Sequence, residues 1–167
     1  MKSIFKIALS SAALLTAVNA NAVQQDITVT ADIDPTVAIT QADNSPLPAS
    51  ITMQYQPGQG LTAYRNNVKL WSNTADRDLN VSLASSPSLT DQSGNNAIPL
   101  SVTLNGQKLS TTTTVFNYGT TFPAGITNGS AVIPLIISQT TAGAATLAGK
   151  YSGIVSLIVT QATAKNG

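Results

Sequence analysis

The sequence predicts an all-β fold, a sandwich or barrel of short strands. Three observations carry that prediction. Apolar and polar residues alternate with period two in one segment after another, the signature of a strand with one buried and one polar face. Turn-forming clusters separate these segments at intervals of roughly 8 to 12 residues. No segment shows a convincing helical period.

Met1 to Ala22 begins with Lys2 and Lys6, continues through an apolar stretch from Ile7 to Val18, and ends Ala20-Asn21-Ala22. This is the pattern of a secretory signal peptide cleaved between Ala22 and Val23. An uncleaved anchor is the alternative, but the apolar stretch is shorter than the roughly 20 residues that span a bilayer. Next, Val23 to Ile33 reads as a one-faced strand, with Ile27, Val29, Ala31 and Ile33 alternating against Asp26, Thr28, Thr30 and Asp32. Asp34-Pro35 ends it, because Pro35 has no N–H and holds Asp34 extended. The dipeptide is either a hinge before a first strand over Thr36 to Gln41 or a simple turn.

Further strands follow in order. Ile51, Met53 and Tyr55 alternate with Thr52 and Gln54, and Val68 and Leu70 with Lys69 and Trp71. Leu79, Val81 and Leu83 alternate with Asn80 and Ser82, and Ile98, Leu100, Val102 and Leu104 with Pro99, Ser101 and Thr103. Asn105-Gly106 is the strongest hairpin signal, since both residues tolerate the positive φ of a type I′ turn. Val132 to Ile137 is apolar on both faces, as in a central strand, although Pro134 removes a ladder donor and suggests an edge or a bulge. Tyr151 to Thr160 places Tyr151, Gly153, Val155, Leu157 and Val159 on one face and Ile154 and Ile158 on the other.

Composition excludes more than it selects. Without Lys2 and Lys6 the chain carries six basic residues against seven aspartates, so no strong field attracts a nucleic acid, and no basic stripe follows a phosphate backbone. There is no Cys, His or Glu. An exported domain of this kind has no disulfide to rely on, no usual zinc ligands, no thiol nucleophile and no proton shuttle near neutral pH. No cofactor is expected. A hydrolase working through aspartates or a Ser-Lys pair is disfavoured, because the aspartates are scattered in turns and no G-x-S-x-G elbow is present.

Counting strands makes the fold more specific. A seven-stranded immunoglobulin-like sandwich needs a strand beyond Tyr151 to Thr160 to cover that apolar edge, and the tail Gln161 to Gly167 offers only Ala162 and Ala164. The surplus strand sits at the other end. An open apolar edge is an aggregation hazard that proteins normally cover, and the leading strand of one subunit filling the edge of the next resolves both oddities. The predicted fold is therefore an incomplete immunoglobulin-like β-sandwich completed by a donor strand from a neighbouring subunit. Ile27, Val29, Ala31 and Ile33 form the donor face, and Tyr151, Val155, Leu157 and Val159 the acceptor groove. Such a contact is heterologous and propagates as a fibre.

Other candidates have bland readings beside the sharp ones. Asp76 and Asp78 flank Arg77 beside Asn73, but a calcium loop would need a different ligand spacing and a glycine that is missing, so a turn is expected. Asn128-Gly129-Ser130 matches a glycosylation sequon, but behind a bacterial-type leader a plain loop is expected. Tyr64, Arg65 and Trp71 offer either a carbohydrate-binding patch or ordinary aromatic packing.

The opening Asp26-Ile27-Thr28-Val29-Thr30-Ala31-Asp32-Ile33-Asp34-Pro35, the later Gln41-Ala42-Asp43 with Leu47-Pro48, and the ending Ala148 to Leu157 resemble the major pilins of class 5 (alpha-type) chaperone-usher fimbriae, the group of colonisation factor antigen I. The resemblance spans most of the chain, and ITVTA-x-x-DP is its most specific part. It implies three parts: a signal peptide over 1–22, a donor extension over 23–35 and an incomplete immunoglobulin-like pilin domain over 36–167. It also implies homopolymerisation by donor-strand exchange into the shaft of a surface fimbria that supports adhesion. The partners implied are a periplasmic chaperone, an outer-membrane usher and a minor tip adhesin, along a route through the periplasm to the cell surface. A receptor-binding, lectin-like fimbrial protein is the alternative, though such an adhesin would be longer and need not carry its own donor strand. The more widely known pilins often have a disulfide and a penultimate aromatic residue; this chain has no Cys and ends Ala164-Lys165-Asn166-Gly167.

Overall fold

The structure, a computed structural model, describes residues 37–143 and 147–163. The donor residues Ile27, Val29, Ala31 and Ile33, the Asp34-Pro35 dipeptide and the Ala22–Val23 junction lie outside them.

The described residues form β1 (Val37–Gln41), β2 (Tyr55–Gln56), β3 (Gly60–Leu61), β4 (Tyr64–Ser72), β5 (Leu79–Leu83), β6 (Ser88–Leu89), β7 (Ile98–Leu104), β8 (Gln107–Leu109) and β9 (Thr114–Phe116). A single-turn helix, α1 (Tyr118–Thr121), then precedes β10 (Ile133–Gln139) and β11 (Leu157–Gln161). A large antiparallel sheet runs β1-β4-β10-β7-β6, with β8 sharing the edge of β7 that also takes β6. A second sheet runs β11-β5-β9, and β2 and β3 make a separate small hairpin.

Alternation does what the pattern predicts. Val68 and Leu70 on β4, Val81 on β5, Val102 and Leu104 on β7 and Leu135 on β10 are among the buried residues that meet in one core between the sheets. Each alternates with a residue that is more exposed, because in two packed sheets only the inner face of each strand meets the other layer. The β7–β8 hairpin turns on Asn105 (φ 50) and Gly106 (φ 76), both in the left-handed region that the type I′ turn requires.

Three expectations need correction. Pro134 does not put its strand at an edge: β10 is central, between β4 and β7. The main-chain oxygen of Pro134 accepts from Asn105 N at 2.9 Å, so its missing donor falls where β7 turns away into its hairpin and the ladder ends. Tyr151 to Thr160 is not one strand, since only Leu157–Gln161 is laddered. The part before it is held by a bridge between Ser152 and Thr90. Ile51 to Tyr55 alternates in sequence but pairs only at Tyr55, so most of it is strandless.

Asp78 secures the smaller sheet. It is fully buried, its carboxylate accepts from the main-chain N–H of Tyr118 at 2.6 Å, and its carbonyl accepts from Ala162 N at 2.8 Å. One residue thus holds the start of α1 and the end of β11 against β5. The expected turn over Asp76 to Asp78 is therefore a structural junction on its Asp78 side.

Candidate functional site

Among the described residues, three short strands do not cover the whole inner face of the larger sheet, and the part they leave uncovered is a cleft of about 880 Å³. Its floor comes from that sheet: Leu135 and Ile137 on β10, Ile98 and Leu100 on β7, Leu89 on β6 and Tyr64 on β4. One wall is Leu47 to Met53 with Tyr55; the other runs from Leu147 to Leu157. Among the described residues no Asp, Glu, Lys or Arg lines it. Seven large apolar side chains of the described residues stand exposed, and four of them, Ile51, Tyr55, Leu147 and Ile154, line this groove. Ile154 is 81% exposed, an arrangement that costs free energy in water and marks a surface built to be covered.

The second wall also offers main-chain hydrogen bonds. In the β11–β5 register Leu157 lies opposite Leu83 and Val159 opposite Val81, and the flanking bonds run from Ala84 N to Ser156 O and from Ala162 N to Asp78 O. Even-numbered residues of this stretch therefore bond to β5, while the N–H and C=O of Leu157 and Val159 point to the opposite edge. Among the described residues no strand pairs with that edge. Because Leu157 and Val159 are also the half-buried apolar residues of β11, inward side chains and outward-facing main-chain groups belong to the same residues. An incoming strand with apolar residues at every second position can fill the cleft and extend the ladder together.

The wall is held in place before it reaches β11. Ser152 and Thr90 exchange two main-chain hydrogen bonds of 2.9 Å each, and the Tyr151 hydroxyl donates to Leu147 O at 3.0 Å. Gly153 lies so close to β6 that a Cβ there would sit 2.0 Å from Ser88 O.

Of the sequence-predicted acceptor residues, Tyr151, Val155 and Leu157 line the cleft together. Val159 does not; it lies further along β11 in a separate polar notch with Val37, Arg77 and Gln161. The opposite wall, Leu47 to Met53, was missed by sequence reasoning, although an alternating segment without a second strand to pair it was the available signal. Tyr64, Arg65 and Trp71 do not form one patch. Successive residues of β4 face opposite ways, so Tyr64 turns into the cleft and Arg65 and Trp71 turn out. Trp71 is pinned there by its Nε1–H, which donates to Thr40 Oγ1 at 2.9 Å.

The family model for the CS1 type fimbrial major subunit matches residues 23–160, a span that includes the expected donor segment. A CFA/I fimbrial subunit of Escherichia coli O78:H11 is 38% identical over 165 residues, which cover 93% of this chain and 97% of its own. A CS1 fimbrial subunit of Escherichia coli is 35% identical over 164 residues, covering 93% and 95%. Among solved structures, the CooA pilin subunit from enterotoxigenic Escherichia coli matches with a TM-score of 0.68 at 30% identity, over 79% of this chain and 91% of that one.

Proposed function

The chain belongs to the CS1 type fimbrial major subunits, and from that premise we propose that its copies join by donor-strand exchange, Val23 to Asp34 of one subunit entering the open cleft of the next. The protein is a structural fimbrial subunit with an immunoglobulin-like fold and not an enzyme; it self-associates into a cell-surface fimbria. The observation that carries the exchange reading is the coincidence of an uncharged apolar cleft with the unpaired edge of β11 among the described residues.

In this reading Ile27, Val29, Ala31 and Ile33 face the floor, and their N–H and C=O groups face the edge of Leu157 and Val159. Full burial of Ile27, Val29 and Ile33 contributes roughly 1.5–3 kcal/mol each before entropy, and Ala31 less. Asp34-Pro35 acts as the hinge that releases the segment just ahead of the subunit's own β1. The contact joins a terminus to a groove, so it never closes on itself and grows a filament.

Until its neighbour arrives, each subunit exposes the whole cleft. That hazard supports the reading that a periplasmic chaperone lends a temporary strand after residues 1–22 are removed and that an outer-membrane usher times the exchange; a minor tip adhesin belongs to the same reading through the family resemblance alone. The test compares the processed chain with a version lacking Val23 to Asp34 and with that version carrying the segment behind Gly167 on a flexible linker. The first polymerises, the second is unstable without a chaperone, and the third folds as a stable monomer. A truncated chain that is monomeric and fully stable by itself would sink the reading.

A further inference from the structure

Charge is unevenly divided along this chain. Val23 to Pro35 holds Asp26, Asp32 and Asp34 and no basic residue, whereas Thr36 to Gly167 holds six basic residues against four aspartates. The three aspartates share a parity opposite to that of Ile27, Val29, Ala31 and Ile33. Seating the apolar face in a groove therefore turns all three carboxylates outward.

The basic residues are sorted as well. Arg65 and Lys69 alternate with the buried Val68 and Leu70, which places both on the outer face of the large sheet. Lys108 shares that face, because the pairing of β4, β10, β7 and β8 lays Arg65, Ile136, Thr103 and Lys108 in one row. Strand geometry separates Arg65 from Lys108 by about 14 Å, Arg65 from Lys69 by about 13 Å and Lys69 from Lys108 by about 19 Å. Seated as a donor strand, Asp26 and Asp32, six residues apart, would stand about 20 Å apart. Lys69 is steadied by Asn128 O at 3.4 Å and by the Trp71 ring at 5.9 Å, while Arg65 and Lys108 are exposed. Asp43 lines the notch beside Arg65, and one of its carboxylate oxygens, Oδ1, accepts from the N–H and hydroxyl of Ser45.

We propose that this basic face, through Arg65, Lys69 and Lys108, docks on the acidic strip Asp26, Asp32 and Asp34 presented by another copy, forming a lateral contact separate from the joint. The proposal rests on the donor-strand reading above. The joint is apolar and laddered and is insensitive to salt; the lateral contact is exposed and screened. Salt therefore loosens the packing of the shaft without parting its subunits.

The test uses whole fimbriae imaged in about 0.01 M and about 1 M salt, between which the screening length falls from about 30 Å to about 3 Å. Parent shafts are compact at low salt, and their extended fraction rises several-fold at high salt. Shafts with Arg65→Asp, Lys69→Asp and Lys108→Asp are extended at both, still joined end to end, and become compact again when Asp26→Lys and Asp32→Lys are added. Asp26→Asn and Asp32→Asn alone, which leave the basic face and the Asp34-Pro35 hinge untouched, also extend the shaft at low salt. The proposal is overturned if either variant keeps the parent diameter at low salt. It is equally overturned if the sole defect of the basic-face variant is lost binding to heparin, which would make the face a site for anionic glycans. Failure of the donor-strand reading shows elsewhere, as a truncated chain that is stable and monomeric.

Discussion

Replacing Gly153 by alanine tests whether the second wall of the cleft is held by its contact with β6. A Cβ at this position meets Ser88 O at 2.0 Å and the Ser88 carbonyl carbon at 3.0 Å. Both are backbone atoms that cannot swing aside, so the wall must move outward by roughly an ångström or more. Overpacking of this kind costs about 1–3 kcal/mol. The move also stretches the two Ser152–Thr90 hydrogen bonds, worth about 0.5–1.5 kcal/mol each. A loss of a few kcal/mol is large beside the roughly 5–15 kcal/mol that stabilises a domain. The assay is urea unfolding of the version with the donor segment carried behind Gly167, followed by the fluorescence of Trp71, the single tryptophan. Gly149→Ala is the control, because a Cβ there meets nothing closer than a Tyr151 ring carbon at 3.6 Å, and it stays within about 0.5 kcal/mol of the parent. In cells, Gly153→Ala reduces surface fimbriae and Gly149→Ala does not. A Gly153→Ala protein as stable as the control would refute the claim that contact with β6 fixes the wall.

Three further outcomes follow from other parts of the molecule. Asp78→Ala leaves the N–H of Tyr118 without its 2.6 Å acceptor and lowers unfolding stability by at least about 1–3 kcal/mol, read as a fall in thermal midpoint. Acid weakens the fold through exposed loops: the Ser93 hydroxyl first, then the Asn96 amide and the N–H groups of Asn95 and Ser93, hold the Asp91 carboxylate below its ordinary value of 3.8, and Ser45 does the same for Asp43. A depressed carboxylate contributes stability above the unfolded value and loses it as pH falls through the folded one. Stability therefore declines below pH about 4, and Asp91→Asn flattens that decline in pH-dependent unfolding curves. Val29→Asp places a charge where the donor face must be desolvated; sedimentation then shows monomer or chaperone-bound protein in place of polymer, whereas Thr28→Ser, on the opposite parity, leaves the polymer intact.

Period-two alternation reveals which side of a strand is buried, and it was legible wherever burial is one-sided. Val68 and Leu70, Leu79 to Leu83 and Leu100 to Leu104 occupy the core faces that their pattern implies. Alternation says nothing about which edges are paired. Tyr151 to Thr160 keeps one pattern throughout, yet Ser152 to Ser156 is held by Thr90, Ser88 and Ala84 at isolated points while only Leu157–Gln161 is laddered. The same limit hid the first wall: Ile51 and Met53 alternate like strand residues but have no ladder of their own, because the groove between the walls separates them from any strand on that side. Pro134 misled for a related reason, since a proline excludes only the hydrogen bond on its own side, and in β10 that side is where β7 has already turned at Asn105. The chain therefore advertises faces in its sequence and edges only in three dimensions. A donor strand needs both: residues 27 to 33 display the face, and the edge that can receive it became visible only through the parity of Ser156, Leu157 and Val159 against β5.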